Sequence, residues 1–181
     1  MRRNIIRIKA LLCIMLLCFV TGMNVQAGNS IEAAGDVLTF LLPATAAGLT
    51  VAFKDGEGAL QLGESVALTL GVTYGLKYTV NETRPNGDSQ SFPSAHTSVS
   101  FASAEYMRKR YGWGYGMPAY AVATFVAISR VEAKDHYVHD VLAGAAIGIA
   151  SSYLFTRQYK GWDIQPEVDH KYYGIRLSRS W

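Results

Sequence analysis

Three short segments carry residue types whose spacing could do chemistry. In the first, Lys77 to Pro85 (KYTVNETRP), Lys77 and Arg84 stand seven positions apart, close to two helical turns. On a continuous helix both cations would project from one face, near an end imposed by Pro85. Two basic residues at a helix C-terminus also complement the macrodipole or reach for water without binding anything. The second segment is Pro93-Ser94-Ala95-His96. A Ser94 cap would leave the amides of Ala95 and His96 pointing outward as an anion site, with His96 leaning over it. The same pattern also describes a plain capped helix with a surface histidine. In the third, Ser129-Arg130 is followed after five residues by His136 and then by Asp140. A histidine and a carboxylate at i and i+4 share a helix face, so Asp140 can hold one ring nitrogen and leave the other as an outward lone pair, the arrangement of an oriented nucleophile. A rival reading takes His136, His139 and Asp140 as metal ligands. It needs a further ligand, and the sequence offers no other His or Cys pairing at suitable spacing.

Read jointly, the segments are more specific than any one alone. Lys77, Arg84 and Arg130 in one site would repel each other by roughly 3 kcal/mol per pair at about 5 Å and an effective dielectric of about 20. A multiply charged anion such as a phosphate dianion offsets that cost.

The elements that must position these residues read as helices. Asp36 to Phe53 is a largely apolar run interrupted by Pro43, and Gly58 to Val80 carries Leu62, Val66, Leu70 and Tyr74 at helical spacing. Both suit buried or membrane-facing helices. Pro93 disfavours helix at Phe92 and Ser94 is a good cap, so a third helix should run from Ser94 to about Arg110. Gly112, Gly114, Gly116 and Pro118 should break it. A fourth helix is expected from about Met117 to Arg130 and a fifth from about His136 to Tyr159. Small residues in the centre of the fifth (Ala143, Gly144, Ala145, Ala146, Gly148, Ala150) would allow close approach of a neighbour. The segment from Gly161 onward is polar and aromatic, with Lys171 to Trp181 suited to an extended strand. The expected architecture is all-α, one bundle of about five to six helices with an irregular or extended tail.

The chain has 181 residues and a formal charge of +3, but Arg2, Arg3, Arg7 and Lys9 account for the excess. Beyond residue 27 there are 13 basic and 14 acidic residues, so composition gives no basic nucleic-acid surface. The four basic residues precede an apolar run from Ala10 to about Val25 that ends in Val25-Gln26-Ala27, the pattern of an export signal cleaved after Ala27. An uncleaved membrane anchor fits the same length. Cys13 and Cys18, the chain's two cysteines, lie in this run. The mature chain would therefore have no disulfide, thiolate nucleophile or Cys-ligated zinc. The organisation expected is a leader at 1–27, a helical domain at 28–160 and a tail at 161–181.

The order Lys, six residues, Arg-Pro; Pro-Ser-x-His; Ser-Arg, five residues, His, three residues, Asp resembles the signature of the type 2 phosphatidic acid phosphatases (PAP2), which share it with bacterial class A acid phosphatases and vanadium haloperoxidases. The likeness spans about Lys77 to Asp140. Two features differ from the family pattern: Ala95 replaces the usual glycine, and the seven residues between Pro85 and Pro93 leave room for only a small cap over the site. The resemblance implies that His136 attacks phosphorus, Asp140 orients it, and His96 protonates the leaving oxygen and then activates water. It further implies that Lys77, Arg84, Ser94, the Ala95 amide and Arg130 hold the phosphate oxygens, with no metal or other cofactor.

The leading expectation is an envelope phosphatase, at the periplasmic side of the inner membrane, acting on a lipid phosphate such as phosphatidic acid, phosphatidylglycerol phosphate, undecaprenyl diphosphate or lipid A. A soluble periplasmic acid phosphatase acting on small phosphomonoesters is the alternative. A vanadate-dependent haloperoxidase, or a helical module that binds phosphate without turnover, is a more distant one.

Overall fold

The computed structural model describes residues 29–159, 161–169 and 172–180. The leader and cleavage site expected at 1–27, including Cys13 and Cys18, lie outside the described residues. Five helices follow in order: α1 (Asn29–Ala52), α2 (Gly56–Val80), α3 (Ala95–Tyr111), α4 (Trp113–Glu132) and α5 (Val138–Phe155). The tail pairs with itself as an antiparallel hairpin, β1 (Gly161–Asp169) with β2 (Tyr172–Ser180). Extended structure therefore covers both halves of the tail rather than its last residues alone.

Helix α3 is central and packs on all four other helices, while α4 and α5 barely meet. The two sides of α3 are built differently. Towards α1 and α4 the core is apolar: Leu38, Leu42, Ala46 and Leu49 of α1 meet Tyr106 and Met107 of α3 and Ala119, Val122, Ala123 and Val126 of α4. Towards α2 and α5 the packing uses small residues and hydroxyls. Ser65, Thr69 and Thr73 line the buried face of α2, and the Thr73 hydroxyl donates to Ser98 Oγ at 3.0 Å. A methyl group at Gly148 would stand 2.1 Å from the Ser98 carbonyl oxygen, and one at Gly144 would stand 2.6 Å from that of Ser94. These glycines bring α5 against α3, as the small-residue run suggested.

The helix boundaries correct several expectations. Gly112 alone separates α3 from α4, because its φ of +91° lies where residues with a Cβ are strained. Gly116 and Pro118 are carried inside α4. Gly116 is a contact glycine: a Cβ there would lie 2.5 Å from Cβ of Arg108. Helix α2 stops at Val80 because Asn81 takes the left-handed conformation, φ 46°, and donates its N–H to the Lys77 carbonyl. Tyr137 caps α5, which starts two residues after His136 and ends at Phe155.

Two helical stretches, Ser30–Ala52 and Val138–Phe155, are long and apolar enough to cross a membrane by length and composition. Phe40 and Val51 of α1 and Leu142, Leu154 and Phe155 of α5 point outward.

Candidate active site

The three segments converge at one end of the bundle, where α2 and α4 finish and α3 and α5 begin. Ser94 caps α3 as its sequence indicates, its hydroxyl accepting from the Thr97 amide at 3.4 Å, and its own N–H donates to the Asp140 carbonyl at 3.1 Å. That bond ties the start of α3 to the start of α5. His136 lies in the turn from α4, with its N–H donating to the Arg130 carbonyl at 3.2 Å. Asp140 is the third residue of α5, and its Oδ2 accepts from the Tyr137 amide at 2.9 Å in a capping box.

His136 Nδ1 and Asp140 Oδ2 are 3.4 Å apart, so the pair forms, but a capped turn forms it rather than a shared helix face. Both residues are buried. Ser91, which sequence spacing does not single out, completes the carboxylate's surroundings by donating its hydroxyl to Oδ2 at 2.5 Å.

Lys77 and Arg84 act on His136, and Arg130 acts on His96. Lys77, in the last turn of α2, donates Nζ to the Gln90 carbonyl at 2.5 Å. Arg84 lies off the helix, because Asn81 ends α2 first. It sits in a tight turn where its N–H donates to the Asp88 carbonyl at 2.7 Å and its carbonyl accepts from Gly87 at 3.0 Å. The buried Nε of Arg84 has no hydrogen-bond partner among the described residues. Arg130 is almost wholly buried, and NH1 donates to Asp36 Oδ1 at 2.7 Å while NH2 donates to the Glu32 carbonyl at 2.6 Å. His96, in the first turn of α3, places Nε2 3.5 Å from the same Asp36 oxygen. A methyl group at Gly35 would lie 2.6 Å from Arg130 NH2 and 2.0 Å from Ser129 Oγ, so that glycine lets α1 close over the arginine. The sole sequence signal for Asp36 was a carboxylate opening an apolar run.

The charges perturb the histidines and lysine of the site in one direction. Burial, then the charges of Lys77 and Arg84, hold the pKa of His136 well below that of a free imidazole, with Asp140 opposing them. Burial, then Arg130, lowers His96 against the opposing pull of Asp36. Burial, then Arg84, lowers Lys77 to about 8. A neutral His136 amid cations is equipped to attack an anion; an imidazolium there would not be.

His139 turns away from His136. Its Nε2 meets Glu82 Oε1 at 3.1 Å and lies 3.1 Å from Asp140 Oδ1, so the ligand trio suggested by the sequence, His136 with His139 and Asp140, does not assemble. Glu82 takes the place of His136 in that group.

The family model of the PAP2 superfamily matches residues 58–163, from the start of α2 to the first residues of β1. The chain belongs to this superfamily and is a PAP2-type phosphatase. It is similar to the lipid A 4'-phosphatase of Helicobacter pylori, with 32% identity over 170 residues that cover 83% of this chain and 85% of that protein. A stretch of 89 residues is 40% identical to the lipid A 1-phosphatase of Porphyromonas gingivalis, covering 46% of this chain and 20% of the relative. Among solved structures, LpxE of Aquifex aeolicus superposes with a TM-score of 0.59 at 21% identity, covering 77% of this chain and 92% of that one. The first transmembrane PAP2-type phosphatidylglycerolphosphate phosphatase from Bacillus subtilis superposes with a TM-score of 0.51 at 20% identity, covering 81% and 93%. These two share the fold.

Proposed function

We propose that this phosphatase removes phosphate from a lipid A-type glycolipid at the outer face of the inner membrane, through a phosphohistidine on His136. The observation that carries the chemistry is the His136–Asp140 pair with the charges of Lys77 and Arg84 acting on it and that of Arg130 acting on His96, and an Arg84 N–H without a hydrogen-bond partner among the described residues. Asp140 holds the proton on Nδ1, so the Nε2 lone pair attacks phosphorus. The bond from phosphorus to the lipid oxygen breaks, and His96 gives that oxygen its proton. Water then attacks the phosphohistidine, His96 takes a proton from it, the N–P bond breaks and inorganic phosphate leaves. Lys77, Arg84, Arg130, the Ser94 hydroxyl and the amides of Ala95 and His96 hold the equatorial oxygens as charge develops. In this reading Ala95 costs nothing in binding, because its contribution is a backbone N–H.

The lipid is supported by the H. pylori relative, which is named for lipid A and matches over most of its length, and by the outward apolar faces of α1 and α5. The orientation is supported by charge. Arg2, Arg3, Arg7 and Lys9 precede the apolar run from Ala10 to about Val25, and the start of α1 that follows it carries Glu32 and Asp36, which meet Arg130 at the site end. Basic residues favour the cytoplasmic side, which puts the site outside.

The test is phosphate release by detergent-purified protein from lipid A, phosphatidic acid, phosphatidylglycerol phosphate, undecaprenyl diphosphate and soluble sugar phosphates, with fractionation of the producing cells. Preference for lipid A by membrane-bound protein is the expected result. A processed protein found wholly in the soluble periplasm and hydrolysing sugar phosphates as fast as lipids would overturn the proposal in favour of a soluble acid phosphatase.

A further inference from the structure

On the rim of the site, the ring of His139 packs against two aromatic side chains. Tyr137 stacks on it at 5.3 Å between centroids and 8° between planes, and Phe92 lies 6.1 Å away at 29°. This packing fixes where Nε2 points, and it points at three carboxylate oxygens: Glu82 Oε1 at 3.1 Å, Glu82 Oε2 at 3.2 Å and Asp140 Oδ1 at 3.1 Å. One imidazole nitrogen has one N–H or one lone pair, so it cannot satisfy both carboxylates. Glu82 takes the hydrogen bond. Asp140 Oδ1, on a side chain with no exposed surface, has no hydrogen-bond partner among the described residues. A buried carboxylate oxygen in that state is costly, and nothing in the phosphatase chemistry uses it.

We infer that Glu82, His139 and Asp140 Oδ1 form a divalent-cation site, best suited to Zn²⁺, whose occupation switches the phosphatase off; the switching part rests on the function proposed above. The three donor atoms all lie within 4.8 Å of one another. Donors at about 2.0–2.2 Å from a tetrahedral zinc stand roughly 3.3–3.6 Å apart, near the 3.1 Å that separates His139 Nε2 from each carboxylate. An imidazole nitrogen with two carboxylates suits zinc better than Mg²⁺, which prefers oxygen and water. Two carboxylates balance the ion's charge, which allows binding near Lys77 and Arg84. The remaining support is already built: the other oxygen of Asp140 is held by Ser91 and by the Tyr137 amide. Inhibition follows from sharing. With Oδ1 bound to zinc, the negative charge of Asp140 is drawn to the metal, and the carboxylate no longer offsets the cations around His136 or supports its ring as phosphorus is attacked.

The experiment uses the detergent-purified full chain, stripped with a chelator, as wild type and as the Glu82→Gln and His139→Ala variants. Zinc chloride is titrated by calorimetry and, in parallel, into the phosphate-release assay, with magnesium chloride as control. One zinc per wild-type chain is expected, with turnover falling at least tenfold on saturation and no effect of magnesium. Each variant should keep its zinc-free turnover within about threefold of wild type and need at least tenfold more zinc for inhibition. Wild type and both variants binding or responding alike would overturn the site, as would the absence of stoichiometric binding. Stoichiometric binding without inhibition would overturn the switch. Calorimetry needs no substrate, so a protein inactive on every phosphate ester refutes the proposed function while the binding arm still decides the metal site.

Discussion

The two ends of the bundle both bury charge, and they bury it differently. At the end away from the site, Arg110 donates Nε and NH2 to the two oxygens of Asp55 at 2.7 and 2.5 Å and NH1 to the Arg157 carbonyl at 3.0 Å. Asp55 also caps α2, accepting from the Gly58 amide at 2.9 Å, and takes the Tyr111 hydroxyl at 2.9 Å. Both members of this buried pair are matched by their neighbours. At the site end the match is incomplete: Arg130 is paired with Asp36 and Asp135, but Arg84 Nε and Asp140 Oδ1 have no hydrogen-bond partner among the described residues, and burial together with Lys77 and Arg84 lowers His136. Burial of charge is common to both ends, so burial alone does not mark a site. A buried cation N–H without a partner does, and among the described residues Arg84 Nε is the one in that state.

The comparison breaks most sharply at His136. His136→Ala should lower turnover at least about 10³-fold, because it removes the proposed nucleophile while the Ser91 hydroxyl and the Tyr137 amide still hold Asp140. Brief reaction of wild-type protein with labelled substrate should leave an acid-labile phosphoprotein that the variant lacks. A variant retaining a tenth of wild-type activity would remove His136 from the mechanism.

The opposite end should respond the other way. Asp55→Ala strands the Arg110 guanidinium, and removing one partner of a buried pair costs about 3–5 kcal/mol of stability. Denaturant or thermal unfolding in detergent reads that loss, and kcat of the protein that remains folded should be unchanged. Burial pulls the pKa of Asp55 up, but the hydrogen bonds from Arg110, the Gly58 amide and Tyr111 outweigh it and leave it lowered. The stabilisation is therefore present above the ordinary carboxylate range and is lost as pH falls through the lowered value. An Asp55→Ala protein as stable as wild type would show that the matched end is not a lock.

How much of this was legible in sequence depended on range. The Ser94 cap and the small residues of α5 are local patterns, and each appears where local rules put it; the His136–Asp140 pair also forms, but through a capped turn rather than the expected helix face. Arg84 and His136 were expected on helices and lie beside them, because single residues ended or capped the helix first: Asn81 in the left-handed region and Tyr137 in a capping box. Helical periodicity does not weigh such stops. The partners that tune the site were not legible. Asp36 reaches Arg130 across 94 positions, Ser91 reaches Asp140 across 49 and Glu82 reaches His139 across 57, and no spacing rule connects them. Gly114 and Gly116 read as breakers because a glycine that permits close packing and one that ends a helix look alike in sequence.

A finer cut separates the arginines from each other. Vanadate and inorganic phosphate should inhibit competitively, and Arg84→Ala and Arg130→Ala should each weaken that inhibition. Loss of a charge-assisted hydrogen bond is worth about 1.5–3 kcal/mol, or roughly 10- to 150-fold in the inhibition constant. Arg130 already shares its N–H groups with Asp36 and the Glu32 carbonyl, whereas Arg84 Nε has no hydrogen-bond partner among the described residues. Arg84→Ala should therefore weaken inhibition more, and Arg130→Ala should also destabilise by stranding Asp36 beside His96. Equal inhibition of both variants and wild type would place the anion elsewhere.

The smallest expected effect is a displacement of the pH profile, and it tests the same imbalance without abolishing the site. In the proposed mechanism His136 must be neutral to attack, and burial together with Lys77 and Arg84 lowers its pKa, so the acid limb of kcat/KM should lie below the ordinary imidazole value of about 6.5. His96 must be protonated to donate, and its lowered pKa brings the basic limb down as well. Both limbs are displaced in one direction, so the optimum falls on the acid side of neutrality. Lys77→Met removes the larger of the two charge contributions to His136. The pKa of His136 then rises, and the acid limb of the residual activity should move up, towards the ordinary value. At the matched end, Lys54→Met should leave both limbs in place. An acid limb that stays fixed when Lys77 is neutralised would mean that Lys77 does not hold His136 in its neutral form.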